Sequence, residues 1–118
     1  MHMIDWNTYR GQVSAGVGEM AKLTPDTIEG YLQLGQSGGC TDRLNGKTRE
    51  LIALAVAVSL RCDGCIVLHT SAARKFGATG EELAEALGVA VSSAARAALV
   101  YSTHAFDAFD AAAETQGA

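Results

Sequence analysis

Residues 47–77, KTRELIALAVAVSLRCDGCIVLHTSAARKFG, contain the features that decide the fold. An apolar run from Leu51 to Leu60 is followed by a C-x-x-C pair, Cys62 and Cys65, and then by a helical pattern that stops at Gly77. The apolar run is much shorter than the roughly 20 residues of a membrane span, so it predicts a buried helix. Glycine often follows the last residue of a helix. We therefore expect two consecutive helices, the second with the cysteine pair at its N-terminus.

Two helices are expected before this stretch. Residues 5–23 carry apolar side chains at helical spacing, although three glycines weaken the pattern. Thr24 and Pro25 then form a helix start, with threonine as the N-cap and proline at the first helical position. Gly35 or the Gly38-Gly39 pair ends this second helix, and Asn45-Gly46 indicates the turn before the apolar run.

One or two further helices are expected after the C-x-x-C segment. Thr79 and Glu82 have the spacing of a capping box, which predicts a helix start. Ser92-Ser93 is expected to interrupt the helical pattern, which continues from Ala94 to about Ala113 before the last few residues fray. We find no alternating strand pattern bounded by turns. The sequence therefore predicts an all-α bundle of about five to six helices in one domain, residues 1–118.

Composition limits the classes of function. A chain of 118 residues that is 48% hydrophobic fits one domain with a modest core, and its long apolar helices leave surface to bury, so we expect a homo-oligomer. The net charge is −4 and the nine basic residues form no stripe, which argues against nucleic acid as a partner. The first residues lack a basic and then apolar export pattern. We expect a cytoplasmic protein that is not embedded in a membrane.

The cysteine pair is the clearest indication of chemistry. Three cysteines without an export signal are more typical of reduced, reactive thiols than of a disulfide framework, and Cys40 stands alone. His69 lies one helical turn beyond Cys65, where an imidazole can take a proton from the thiol, and a helix N-terminus favours the thiolate. This arrangement favours Cys65 as the attacking sulfur, with Cys62 resolving the oxidised product into a disulfide.

Glu50 is a candidate partner for the histidine. If the turn between the two helices centres near residues 59–60, Glu50 and His69 lie equally far from it on antiparallel neighbours, and their side chains can meet. A carboxylate in that place would orient the imidazole and make it a stronger base. The alternative is a structural glutamate that favours the helix N-terminus or pairs with Lys47.

The spacing of these residues resembles a known motif. Glu50, eleven intervening residues, the Cys62-Asp63-Gly64-Cys65 segment, three further residues and then His69 resemble the motif of the AhpD-like alkylhydroperoxidases. These proteins belong to the carboxymuconolactone decarboxylase superfamily, and the likeness covers a core of about residues 25–109. The resemblance implies an all-α fold with the C-x-x-C at a helix N-terminus and a homo-oligomer such as a trimer or hexamer.

The resemblance also implies an activity and roles for the site residues. Cys65 is then the peroxidatic cysteine, Cys62 the resolving cysteine, and Glu50 and His69 a proton relay. The implied partners are a small hydroperoxide substrate and a thiol or lipoyl-protein electron donor, with no cofactor and no metal. Gly64 departs from the pattern, because the best-known peroxidases of the family have a second relay histidine there. A slower enzyme, another substrate or a disulfide reductase are the alternatives that this departure opens.

The sequence argues against a zinc site and haem attachment, and it leaves two other functions open. A zinc site needs a fourth ligand beside Cys62, Cys65 and His69, and neither a second C-x-x-C nor paired histidines appear. Haem attachment requires histidine directly after the second cysteine, where Ile66 stands. A carboxymuconolactone decarboxylase-like acid/base enzyme would use Glu50 and His69 without the thiols. A non-enzymatic redox sensor would use the disulfide to change an interface.

Overall fold

The structure is a computed structural model that describes residues 1–116, and these residues form five α-helices and no strand. The helices are α1 (Trp6–Leu23), α2 (Pro25–Ser37), α3 (Gly46–Leu60), α4 (Asp63–Lys75) and α5 (Gly80–Gln116). The predicted all-α class is confirmed, at the lower end of the expected number of helices.

The helices form an open array. Helix α3 packs against both α4 and α5, α1 packs against α4, and α2 packs against α1 alone. The order across the array is therefore α2, α1, α4, α3, α5, and within residues 1–116 its two ends do not meet. The buried apolar side chains come from the three helices on one side of this order: Leu54, Ala57, Val67, Ala73 and Ala90. The core is small, and it holds α3 against α4 and α5.

The link between α3 and α4 is only two residues long. Arg61 ends α3 in the left-handed conformation with a φ of 56°, and the Cys62 amide donates a 3.0 Å hydrogen bond to the Ala57 carbonyl. One left-handed residue commonly ends a helix because it turns the chain while the last carbonyls find donors. Cys62 is extended and serves as the N-cap of α4. The turn places the C-x-x-C pair at the start of α4, as the sequence predicts.

A close approach fixes the other end of this helix pair. The Asn45 side chain caps α3 by accepting the Thr48 amide at 2.8 Å. Gly46, the first residue of α3, lies against the ring of Phe76 at the end of α4, and a Cβ at position 46 would overlap that ring. The Asn45-Gly46 pair therefore marks a helix start, and a larger residue at position 46 would require the Phe76 ring to move.

The capping box predicted at the start of α5 is confirmed. The Glu82 amide donates to the Thr79 hydroxyl at 3.1 Å, and the Thr79 amide donates to the Glu82 carboxylate at 3.0 Å. The same carboxylate pairs with Lys47 of α3 at 2.7 Å. The Lys47 ammonium first, and the Thr79 amide second, hold the pKa of Glu82 below its ordinary value. These contacts join the starts of α3 and α5.

The expected break at Ser92-Ser93 is wrong, because α5 continues through both residues. The Ser92 hydroxyl donates to the Val89 carbonyl at 3.1 Å, so the helix itself provides its partner and the side chain does not draw the backbone out of helical form. The helix runs past the expected end near Ala113 to Gln116. Residues 117–118, to which the expected fraying also applied, lie outside the described residues.

Two other expectations are partly wrong. Thr24 precedes α2, but its side chain makes no capping bond, since its hydroxyl pairs with that of Thr27 at 2.7 Å. The apolar run 51–60 is helical but not buried all round in the single chain. Leu54 and Ala57 are buried, whereas α3 exposes four large apolar side chains, Ile52, Val56, Val58 and Leu60, and all of these except Val58 share one face.

Helix α5 extends well beyond the helices that it contacts. By length and composition its 37 residues could cross a membrane, and little of its apolar segment is buried. Core helices of soluble proteins meet the same criteria, so these properties alone do not make α5 a membrane span. All residues from Val91 to Gln116 are exposed in the single chain.

The Lys47–Glu82 pair predicts a pH dependence of stability. The folded-state pKa of Glu82 is lowered, so its stabilisation is present above the ordinary glutamate pKa of ~4.3 and is lost as the pH falls through the folded-state value. We expect Glu82→Gln to be less stable than wild type at neutral pH and the difference to shrink in acid. Urea unfolding across this range measures it, with Glu85→Gln on the same helix as the control. A difference independent of pH would contradict the prediction.

Candidate active site

Cys62 and Cys65 form a disulfide at the start of α4, with their Cα atoms 5.2 Å apart. Cys62 is the N-cap and lies outside the helix, whereas Cys65 is on its first turn. The Cys65 amide donates to the Cys62 sulfur at 3.2 Å. The sulfur thus occupies the position that a serine or aspartate oxygen takes in an ordinary N-cap.

This hydrogen bond determines which of the two sulfur atoms the N-terminus of α4 stabilises as a thiolate. A backbone N–H aimed at a sulfur favours the thiolate over the thiol, as does the partial positive charge of a helix N-terminus. In this structure the N–H is aimed at Cys62 rather than Cys65. Both cysteines are half-buried.

His69 and Glu50 are in direct contact across α3 and α4. The His69 Nδ1 atom and the Glu50 carboxylate are 2.7 Å apart, which is the meeting that the helix-pair geometry predicted. The side chains are 37% and 22% exposed, so the pair is shielded but still accessible from solvent. A carboxylate accepts the proton on Nδ1 and leaves the lone pair of Nε2 free to act as a base.

The histidine and the disulfide line the same cleft. This cleft has a volume of about 480 Å³ and lies between α1, α2 and α4. Its lining is mostly apolar, with the two cysteines and His69 among the polar or polarisable groups: Val13, Ser14, Val17, Ile28, Tyr31, Cys62, Gly64, Cys65, Leu68 and His69. Within the described residues His69 makes no hydrogen bond to either sulfur of the disulfide. The arrangement brings a redox pair and a base to one apolar opening.

Gly64 lies against the N-terminal helix. A Cβ built on Gly64 would be 3.6 Å from both methyl groups of Val13, which is ordinary van der Waals contact. An alanine therefore fits, but any longer side chain directed this way would meet Val13. Val13 of α1 therefore borders the space beside Gly64, which also opens onto the cleft.

The other residues considered from the sequence lie away from the site. Cys40 is an exposed free thiol in the segment after α2. His104 stacks on Tyr101 with ring centroids 4.4 Å apart, on the exposed half of α5. No group of three or more His, Cys, Asp or Glu side chains within residues 1–116 is arranged to hold a metal ion.

The sequence did not identify the wall of the cleft opposite the cysteines. Val13 and Val17 show helical spacing, which predicts an apolar face but not the element that it covers. Tyr31 and Ile28 on α2 likewise have helical spacing, which does not show that they line a cleft. Their position in the cleft depends on how α1 docks on α4, and this long-range contact leaves no local signal.

Comparison with known proteins identifies the family to which this chain belongs. The sequence model of the carboxymuconolactone decarboxylase family matches residues 25–113, which include all five helices except α1 and the end of α5. This chain belongs to that family. The match contains Glu50, the cysteine pair and His69, but membership alone does not assign one activity to them.

A solved structure and three sequence relatives are similar to the chain. The crystal structure of an apo carboxymuconolactone decarboxylase family protein from Legionella pneumophila superimposes with a TM-score of 0.71 at 34% identity, covering 89% of this chain and 94% of that one. An uncharacterized protein of Haemophilus influenzae is 42% identical over 69 residues, 58% of this chain and 61% of its own length. Uncharacterized protein 4 in the cox locus of Paracoccus denitrificans is 33% identical over 84% of this chain and 89% of its own length. A Cupriavidus necator protein is 29% identical over 91% and 95%.

The Val13 contact predicts how position 64 responds to substitution. Gly64→His is expected to lower the free energy of unfolding by about 1–3 kcal/mol because an imidazole that points toward α1 displaces Val13. A Val13→Ala background should remove most of this loss, and Gly64→Ala should be tolerated in either background. Urea unfolding of wild type, Val13→Ala and the four Gly64 variants measures the coupling. An equal loss from Gly64→His in the wild-type and Val13→Ala backgrounds would contradict the contact.

The Glu50 contact predicts the proton position on His69. Neutral His69 is expected to carry its proton on Nδ1, and Glu50→Ala should abolish this preference because the acceptor is lost. Long-range ¹H–¹⁵N correlation spectra distinguish the two tautomers, with His69→Gln assigning the signals. His104 serves as the internal control and should not change. A wild-type His69 protonated on Nε2 would overturn the expected geometry.

Proposed function

We propose that the chain is a thiol-dependent oxidoreductase that reduces hydroperoxides, with Cys65 as the peroxidatic and Cys62 as the resolving cysteine. The observation that carries this proposal is the shared cleft, in which the cysteine pair lies beside a histidine held by a carboxylate. A dithiol able to close into a disulfide stores two electrons, which is what the reduction of one peroxide consumes.

The first step begins from the reduced pair. His69 Nε2, free because Glu50 holds Nδ1, accepts the Cys65 thiol proton. The thiolate attacks one peroxide oxygen, so an S–O bond forms while the O–O bond breaks. The departing alkoxide takes the proton from His69 and leaves as an alcohol, and Cys65 becomes a sulfenic acid. His69 is the catalytic base and acid in this step, and Glu50 is a positioning residue.

The second step closes the disulfide. The Cys62 thiolate, stabilised by the Cys65 amide, attacks the sulfur of the sulfenic acid, and the hydroxyl leaves as water with the remaining proton. The geometry of this product is the disulfide seen in the structure. One hydroperoxide has then been reduced to alcohol and water, and two thiols have been oxidised to one disulfide.

Re-reduction requires an external dithiol, for which a thiol or lipoyl-bearing protein is the proposed donor. A thiol–disulfide exchange proceeds best when the better stabilised thiolate leaves. Cys62 carries the capping hydrogen bond, so the donor attacks Cys65 and Cys62 departs. The second thiol of the donor then releases Cys65. This donor chemistry fits a reducing compartment, so the proposal retains a cytoplasmic location.

The activity prediction separates the two cysteines. Cys65→Ser should reduce hydroperoxide consumption with a dithiol donor to the uncatalysed rate, because no sulfur remains to attack the peroxide. Cys62→Ser should still consume about one equivalent of hydroperoxide per chain and then stop as the sulfenic acid, detectable by mass spectrometry and dimedone labelling.

Cys40→Ser is the matched control, since Cys40 is free, exposed and absent from the cleft lining, and it should keep the wild-type rate. Equal rates for wild type and Cys65→Ser would refute the peroxidase proposal. If Cys65→Ser consumed about one equivalent of hydroperoxide and then stopped, and Cys62→Ser consumed none, the two roles would be reversed.

A second function is favoured by one feature, the Glu50–His69 pair, which is complete without either sulfur. The two side chains could act as acid and base in a carboxymuconolactone decarboxylase-like reaction. Decarboxylase turnover that persists in a Cys62→Ser/Cys65→Ser variant and is lost in His69→Gln would support this function. Loss of turnover on removing the cysteines would argue against it.

A further inference from the structure

The cleft beside the disulfide has an aromatic residue in its lining, Tyr31 of α2. Its side chain is 64% exposed, so the ring is accessible to a molecule in the cleft. The other two tyrosines have ring partners, since Tyr9 packs edge-on against Trp6 and Tyr101 stacks on His104. Within residues 1–116, Tyr31 has neither a ring partner nor a side-chain hydrogen bond. Its ring is therefore free to pack on a bound molecule.

Tyr31 lies across the cleft from the reactive groups. Ile28 and Tyr31 are three residues apart, which places them on one face of α2. Cys65 and Leu68 have the same spacing on α4, and both line the cleft on its other side. A molecule that spans the cleft therefore contacts Tyr31 at one end and Cys65 at the other.

The size of the cleft suits a small organic molecule. Its volume of about 480 Å³ lies within the roughly 300–1,000 Å³ that is usual for ligand pockets. Aliphatic side chains such as Val13, Val17 and Leu68 form much of the lining. Hydrogen peroxide has no organic group with which to contact these side chains. An organic hydroperoxide can place its peroxide group at Cys65 and its organic group against Tyr31.

The cleft offers little positive charge to a bound anion. None of its described lining residues is Lys, Arg, Asp or Glu. Among them only His69 can carry a positive charge, and Glu50 already pairs with it at 2.7 Å. An anion beside aliphatic side chains loses hydration that no cation replaces. The lining therefore favours an uncharged organic group over one that carries a carboxylate.

We propose that Tyr31 is a specificity-determining residue, whose ring packs on the organic group of an uncharged hydroperoxide while the peroxide group lies at Cys65 and His69. This inference rests on the proposed peroxidase function and adds the contribution of α2 to it. The bonds that form and break stay those of the peroxidase cycle: an S–O bond forms at Cys65, the O–O bond breaks, and the organic group leaves as an alcohol. Tyr31 exchanges no proton or electron in this step, so its removal weakens binding and leaves the chemistry intact.

The rate of thiol oxidation tests Tyr31 without an electron donor. Reduced protein in a Cys40→Ser background is mixed with cumene hydroperoxide or with hydrogen peroxide, and the loss of thiols is followed with time. Tyr31→Ala should lower the second-order rate with cumene hydroperoxide about tenfold, as expected for one lost ring contact, and leave the rate with hydrogen peroxide unchanged. Tyr31→Phe retains the ring and should keep the wild-type rate with both peroxides.

Tyr101→Ala is the matched control, because Tyr101 is 70% exposed and lies on α5 outside the cleft lining. It should leave both rates unchanged. An equal loss with both peroxides in Tyr31→Ala would assign Tyr31 a structural role only. No loss with either peroxide would mean that the organic group does not contact the ring. Each of these results overturns the proposal.

A third substrate tests the charge of the organic group. Cumene hydroperoxide with a carboxylate in the para position of its ring should oxidise wild type about tenfold more slowly than the parent compound, because the cleft replaces none of the lost hydration. Equal rates for the two compounds would overturn the preference for an uncharged group.

Binding of the alcohol product separates this inference from the peroxidase proposal. In ¹H–¹⁵N spectra of the disulfide form, 2-phenyl-2-propanol should shift the amide signals of Tyr31 and Leu68 in wild type, and Tyr31→Ala should weaken its binding several-fold. Wild type that reacts no faster than Cys65→Ser but binds the alcohol through Tyr31 would refute the peroxidase alone. An active wild type whose alcohol binding is absent, or unaffected by Tyr31→Ala, would refute the role of Tyr31 alone.

Discussion

The two-residue reversal at Arg61 and Cys62 is the constraint on which the site depends. A left-handed arginine costs roughly 1–2 kcal/mol relative to an ordinary conformation, and packing between α3 and α4 must offset this. The short link fixes the last residue of α3 relative to the first residue of α4, and so it fixes which residues of the two helices face each other. Glu50 and His69, which are 19 residues apart in sequence, therefore meet at 2.7 Å, and the cysteine pair lies at the same end of α4 as the turn. A longer, flexible loop would fix neither contact.

The site combines a rigid part and a peripheral part. The redox pair, the histidine and its carboxylate all belong to α3, α4 and the two-residue link between them. The opposite wall of the cleft comes from α1 and α2, which attach to that unit only through the packing of α1 on α4. The residues proposed to carry the chemistry thus lie on α3, α4 and the link between them, whereas α1 and α2 provide the facing wall of the cleft. Changes in Val17 or Tyr31 can alter what enters the cleft while Glu50 and His69 remain in place.

The sequence predicts this site well where the determinants are local. The spacing of Glu50, Cys62, Cys65 and His69 gave the helix pair and its contact, and the Thr79–Glu82 signature gave the start of α5. Prediction from the sequence fails where the hydrogen-bond or packing partner of a side chain cannot be deduced from its neighbours in the sequence. Ser92 looks like a helix breaker, yet its hydroxyl bonds to the turn before it. The spacing of the cysteines also could not show that Cys62 lies outside the helix, nor that Val13 fills the space beside Gly64, because both depend on the exact end of α3 and on the docking of α1.

The sulfur of Cys62 has two roles, as the N-cap of α4 and as one half of the disulfide, and these roles favour different side chains. Its sulfur satisfies a backbone amide at the start of α4, and the same sulfur changes oxidation state whenever the pair reacts. A serine or an aspartate would perform the first duty better, since oxygen is the stronger acceptor and both residues are preferred at helix starts. If stability alone were selected, we would expect serine or aspartate rather than cysteine at position 62. The N-cap of α4 is therefore weaker than an oxygen-bearing side chain would make it, as expected if Cys62 is kept for its sulfur.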